Sequence, residues 1–147
     1  MTLCAGLQCF FPMKPAIETR FRVRYAETDQ MGVVYYANYL VWMELGRVEL
    51  CRARGFNYRD MEREDGVLLA VAEAHCRYRS PARFDDEVIV KTWIEEADTR
   101  VVTFAYEMRL GETDRTLATG HTRHIFVNRE MRRARLPEKY HAMFGLA

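Results

Sequence analysis

Two features of this chain stand close together in sequence and could act on one carbonyl group. The run Glu27-Thr28-Asp29-Gln30-Met31-Gly32 is polar and ends in glycine, which reads as a turn carrying carboxylates. Shortly after it, Asn38 is a good N-cap for a helix over Tyr39 to Arg54, with Gly55 placed to end that helix in the left-handed conformation. The first N–H groups of a helix have no partner within it and carry partial positive charge. A carboxylate facing such donors can attack a carbonyl carbon, or activate water against it, while the donors receive the oxyanion. Thioester hydrolysis needs both parts. The plainer reading is an Asx-turn at Asp29 beside core aromatics, and the residues alone leave both readings open.

Other candidates carry similar pairs of readings. Glu27 shares the strand parity of Asp29 and is a rival carboxylate, or a solvated one; Glu44 on the helix is a second rival, or a buried partner for Arg47 or a strand arginine. Ser80-Pro81-Ala82-Arg83 lies between strands, where Pro81 can simply break a strand and Arg83 be a surface charge. Arg129, Arg132, Arg133 and Arg135 form a basic cluster, and guanidinium groups suit phosphate geometry; a solvated basic tail is the alternative. RNA binding would need aromatic residues interleaved with that charge, and none are. His121 and His124 are three apart on a predicted strand and so point to opposite faces, as do His75 and Cys76. No metal site is expected.

These residues must be held by ordinary elements. The chain has 147 residues, 49% apolar and 29% charged, a globular balance that fits one domain. Its formal net charge of +1 gives no global reason to expect nucleic acid as a partner. Cys4, Cys9, Cys51 and Cys76 lack close CxxC spacing and fit reduced thiols, no run of about 18 apolar residues predicts a membrane span, and Met1 to Pro15 lacks the basic start of a signal peptide. A cytoplasmic protein without membrane insertion is expected. Met13 is a second candidate start, so residues 1–16 read as a poorly ordered N-terminal extension and 17–147 as the single domain.

Within that domain Ile17 to Tyr25 alternates in its latter half, the period of a half-buried strand. On the helix, Tyr39, Trp42, Met43, Gly46, Leu50 and Ala53 share one arc, yet Leu40, Val41, Leu45, Val48 and Cys51 lie elsewhere, so it reads as apolar on most sides and mostly buried. Gly46 in its middle points to close backbone packing. After a polar link over Asn57 to Gly66, strands are predicted over Val67–Tyr78, Glu87–Glu96, Val101–Leu110 and Thr116–Val127, then a short helix near Glu138 to Phe144. This is an α+β pattern in which one antiparallel sheet wraps one long helix.

The segment Tyr25-x-Glu27-Thr28-Asp29-x-Met31-Gly32-Val33-Val34-Tyr35-Tyr36-x-Asn38-Tyr39, followed by Tyr78-Arg79-Ser80-Pro81-Ala82-Arg83-Phe84-Asp85-Asp86, resembles the hotdog thioesterases of the 4-hydroxybenzoyl-CoA type and the related Tol-Pal-associated acyl-CoA thioesterases. The likeness covers roughly residues 17–137 in element order. It implies the hotdog fold and hydrolysis of an acyl-CoA thioester without a cofactor, CoA being part of the substrate. It implies that Asp29 is the catalytic carboxylate, that the Tyr36 backbone N–H polarises the thioester carbonyl, and that Tyr25 lines the pocket. It places the pantetheine arm and nucleotide near Ser80, Pro81 and Arg83 at a subunit boundary of a homodimer or homotetramer. Arg132 and Arg133 are the candidates for the CoA phosphates. Two other classes compete. A non-catalytic acyl-CoA sensor could share the fold, and an enoyl hydratase would want a histidine that the turn motif lacks.

Overall fold

A computed structural model describes residues 16–147. The expected extension over residues 1–15 and the alternative start at Met13 lie outside the described residues. Five antiparallel strands form one sheet: β1 (Ile17–Arg22), β2 (Leu68–Tyr78), β3 (Glu87–Ala97), β4 (Val101–Leu110) and β5 (Thr116–Val127), in the order β1-β3-β4-β5-β2. One long helix, α1 (Asn38–Ala53), packs on one face of it, and a shorter one, α2 (Tyr58–Asp65), precedes β2. In β4, Val102, Phe104, Tyr106, Met108 and Leu110 are all buried on the helix side, and Thr103 and Ala105 on the opposite face are buried as well.

Tyr39, Trp42, Met43, Gly46 and Leu50 bury one face of α1 against the sheet. A Cβ on Gly46 would collide with Thr92 Oγ1 on β3 and stand 3.0 Å from Val90 Cγ1, so the glycine allows the close approach that its position suggested. The expectation of burial on most sides is corrected. Leu40, Val41 and Leu45 are exposed, because the sheet reaches only one face of the helix, and Ala53, on the buried arc, is exposed as the last residue of the helix.

Three boundaries differ from expectation. Strand β1 ends at Arg22, not Tyr25: the Val23 N–H donates to Asp86 O at 2.9 Å and the chain turns into a single 3-10 turn at Tyr25–Glu27. Asn38 is the first residue of α1, not its cap, and its side-chain amide donates instead to the Glu27 carbonyl at 2.9 Å. The link expected over 57–66 contains α2, capped by Asn57, whose Oδ1 accepts the Asp60 N–H at 2.9 Å, and ended by Gly66 at φ 65°. Only Met61 of α2 is buried, too little for a helical apolar period. The antiparallel sheet is as expected, and within it β3, β4 and β5 form a meander while β2 pairs with β5, so residues 79–86 carry the chain across the end of the sheet to the β1 side. The C-terminal helix is a 3-10 segment, Glu138–Phe144, whose Tyr140 and Phe144 rings pack on Phe56.

Candidate active site

That crossing segment and the turn before α1 meet. Val34 donates to the Ala82 carbonyl at 2.9 Å, and a cleft of about 330 Å³ opens between them, lined by Asp29, Tyr36, Tyr39, Tyr78, Ser80 and Pro81 among others. The turn is closed by its own backbone: Asp29 N–H donates to Val33 O at 2.8 Å and Gly32 N–H to Asp29 O at 2.9 Å, with Gly32 at φ 77°. Asp29 Oδ1 accepts the Met31 N–H at 2.8 Å, so the Asx-turn is present. It does not compete with chemistry. It consumes one carboxylate oxygen and fixes the side chain, and Oδ2 keeps no hydrogen bond among the described residues.

Across the cleft, the N–H groups of Tyr36 and Ala37 donate no hydrogen bond among the described residues, whereas their neighbours Tyr35 and Asn38 donate to Glu27 O and Tyr35 O, both at 2.9 Å. These are the free donors of a helix start. The Tyr36 peptide is itself anchored, because the Tyr78 hydroxyl donates to its carbonyl at 2.9 Å. Burial, with Cys76 and Tyr39 beside it, pushes the Tyr78 phenol up to about 12, which keeps it protonated and donating. The rings of Tyr36 and Tyr39 meet Tyr78 edge-on, at 6.5 and 5.1 Å, and form an aromatic wall.

The turn is tied to α1 by Glu27, a residue that sequence reasoning treated as a rival or solvated acid. It is only 5% exposed. Its carboxylate accepts the Arg24 N–H at 2.8 Å, the Arg24 guanidinium at 3.0 Å and the Trp42 indole N–H at 3.0 Å. Burial raises its pKa, but these bonds and the Arg24 charge outweigh it and hold the carboxyl below the usual carboxylate range. Its carbonyl accepts both the Tyr35 N–H and the Asn38 amide at 2.9 Å. Glu27 therefore fixes the distance between Asp29 and the helix start. No sequence signal short of knowing that Trp42 lies above it would reveal this.

The other candidates separate. Tyr25 is 77% exposed, packs edge-on against Phe84 at 5.5 Å, and does not line the cleft. Arg83 is exposed, its guanidinium near Gly32 of the Asp29 turn. Arg79, not singled out in sequence, lines the cleft. Glu44 is exposed on the outer face of α1, away from Asp29, and is not the buried ion-pair partner envisaged. Arg132 is exposed, Arg133 lines a different cavity, and Arg129 caps α2 by donating to the Glu62 and Arg63 carbonyls at 3.2 and 3.1 Å. His124 is buried beneath α1 while His121 stacks on His75 at 5.2 Å, and among the described residues no group of three or more His, Cys, Asp or Glu could hold a metal ion. No helix among the described residues is long and apolar enough to cross a membrane.

Comparison with known proteins agrees with this architecture. The Staphylococcus aureus DHNA-CoA thioesterase structure superposes with a TM-score of 0.85 at 30% identity, covering 89% of both chains. A 1,4-dihydroxy-2-naphthoyl-CoA thioesterase from Synechocystis, at 22% identity and a TM-score of 0.81 over 88% of this chain and 95% of that one, shares the fold. YneP of Bacillus subtilis is 48% identical over 86 residues, 58% of this chain, and the aligned stretch spans 62% of YneP. The acyl-CoA thioester hydrolase YbgC of Escherichia coli is 32% identical over 65% of this chain and 69% of its own length. The family model of the thioesterase-like superfamily matches residues 23–144, which is most of the chain and includes both walls of the cleft. With its five-stranded antiparallel sheet around one long helix, this chain is a hotdog-fold member of the thioesterase-like superfamily.

Proposed function

We propose that this chain hydrolyses an acyl-CoA thioester to the free acid and CoA, with Asp29 as the reacting carboxylate and the Tyr36 N–H as an oxyanion donor. One observation carries the reading: Asp29, fixed with one oxygen uncommitted, and Tyr36, whose backbone N–H has no partner among the described residues, line the same cleft. A thioester carbonyl seated between them is attacked by Asp29 or by water that Asp29 deprotonates. The C–S bond breaks, CoA leaves as thiolate and takes up a proton, and the acid departs directly or after hydrolysis of an anhydride. The names of relatives such as YbgC support the same substrate class. Neither path calls for a cofactor or metal.

Ser80 and Pro81, which line the cleft, are proposed for the pantetheine arm, and Arg83, Arg132 and Arg133 for the CoA side; Tyr25 is proposed as part of the outer pocket wall once a second subunit is in place. A homodimer or homotetramer is part of the reading, supported by the open edge of β2 and the exposed Leu40, Val41 and Leu45 on α1. A cytoplasmic address is supported by Cys51 and Cys76, both free thiols.

Thiol release from short, long and aromatic acyl-CoA esters tests the reading. Asp29→Asn, at matched folding, is expected to lose about 100-fold or more in kcat. CoA-ester binding by the wild type without turnover of any ester would replace this reading with the acyl-CoA sensor.

A further inference from the structure

The helix start that bears the Tyr36 N–H has no side-chain cap. Ala37 occupies the N-cap position with helical dihedrals and makes no capping bond, where serine, threonine, aspartate or asparagine would ordinarily engage the free N–H groups. The first bonds of the helix are also of the tighter kind that spans three residues. Asn38, Tyr39 and Leu40 donate to the carbonyls of Tyr35, Tyr36 and Ala37 at 2.9, 3.3 and 3.1 Å. Such bonds have poorer geometry than the α-helical ladder, so this turn fixes its own N–H directions less firmly than a capped α-helical start.

Two bonds from other elements compensate, one on each side of residue 36. On the N-terminal side the Tyr35 N–H donates to Glu27 O at 2.9 Å. On the C-terminal side the hydroxyl of Tyr78, 42 residues away at the end of β2, donates to Tyr36 O at 2.9 Å. The N–H of Tyr36 lies in the short stretch between the two. Tyr78 is itself well anchored: it pairs with Ala118 of β5, the next two N–H groups, those of Arg79 and Ser80, donate to Leu117 O at 2.8 and 3.1 Å, and Ser80 Oγ donates to Thr116 O at 3.0 Å. Its hydroxyl thus ties the start of α1 to the sheet. The same bond polarises the peptide between Tyr36 and Ala37, because a carbonyl that accepts a hydrogen bond makes the N–H of its own peptide a stronger donor.

We propose that Tyr78 is a positioning residue for hydrolysis: its hydroxyl, distinct from its ring, holds residue 36 so that the Tyr36 N–H faces the seat of the thioester carbonyl opposite Asp29. The inference rests on the hydrolytic reading for what that N–H receives. The ring of Tyr78 lines the cleft and meets Tyr36 and Tyr39 edge-on, so the ring serves the wall while the oxygen serves the donor. Full negative charge reaches the carbonyl oxygen only as the reaction proceeds. Holding its donor in place therefore stabilises the transition state more than the bound ester, and loss of the hydroxyl falls on kcat and spares KM.

Tyr78→Phe in the full-length protein separates the two roles, since it keeps the ring and removes only the oxygen. With an acyl-CoA ester that the wild type turns over, kcat is expected to fall about tenfold or more while KM stays within about twofold. Amide ¹⁵N relaxation gives a readout independent of turnover. The Tyr36 N–H should have an order parameter of about 0.85 in the wild type and fall toward about 0.6 in Tyr78→Phe, with the amides of Met31 and Gly32 in the Asp29 turn unchanged. A raised KM with unchanged kcat would make Tyr78 a wall of the cleft and nothing more. A lower kcat with an unchanged order parameter at Tyr36, or loosening spread equally over the Asp29 turn, would also overturn the assignment. A wild type that turns over no ester, while Tyr78→Phe still loosens Tyr36 alone, would sink the hydrolytic reading and leave the clamp standing.

Discussion

Two carboxylates two residues apart, one proposed to react and one that holds the turn, are told apart by their surroundings. Asp29 has an oxygen open to the cleft, while Glu27 is enclosed by Arg24 and Trp42 and has every oxygen engaged. Glu27 is thus a positioning residue. Glu27→Gln would turn one acceptor into a donor pointed at the Arg24 N–H or the Trp42 indole, which costs about 1–3 kcal/mol of stability and loosens the turn. A kcat lower by about tenfold is expected, since small misplacement of a reacting group is costly, with no shift in the pH profile. A displaced acidic limb in the pH–rate curve would instead put Glu27 in the proton transfers. The spacing of Asp29 and the helix start was legible in sequence because turn residues and glycine are local signals. The role of Glu27 was not, because its partner Trp42 is supplied by a different element.

Between elements, the interface of α1 with the sheet holds a polar chain: His124 Nε2 and Tyr106 Oη both meet Thr122 Oγ1, at 2.8 and 2.7 Å, while His124 Nδ1 is buried without a partner among the described residues. Burial, then the nearby Arg47 charge, depresses the His124 pKa to about 3. The imidazole is neutral when folded and titrates near its ordinary value when unfolded, so protons favour the unfolded chain. Its contribution to stability is complete above about pH 6.5 and is lost at about 1.4 kcal/mol per pH unit as pH falls toward 3. Urea midpoints at pH 6.5 and pH 5 should show wild type losing about 2 kcal/mol more than His124→Gln, and parallel losses would refute it. Element identity itself followed from periodicity wherever burial alternates, as in β1. It failed at α2, where Met61 is the single buried residue, and strand order stayed illegible because alternation names a face and not a partner.

For the whole molecule, the decisive surface is the edge of β2. Val71, Ala72, Glu73, Ala74 and His75 are exposed in succession, and among the described residues β2 pairs with β5 alone, leaving one row of its backbone groups without a strand partner there. A long edge strand carrying Val71 at 55% exposure invites pairing with a copy of itself, which closes symmetrically when the strands run antiparallel. The cleft ends at Tyr78 and Arg79, on the continuation of that same strand, so a partner seated there would supply the missing wall over Asp29. The apolar residues that misled the reading of α1 toward full burial fit the same logic, as their cover must come from beyond the sheet. Val71→Lys/Ala74→Lys places like charges across the proposed two-fold. Light scattering should give twice 17.3 kDa, or a larger even multiple, for wild type and a lower mass for the variant, with thioester turnover falling in parallel. A variant of lower mass with undiminished turnover would mean that one subunit holds the entire site, and an unchanged mass would move the interface away from β2.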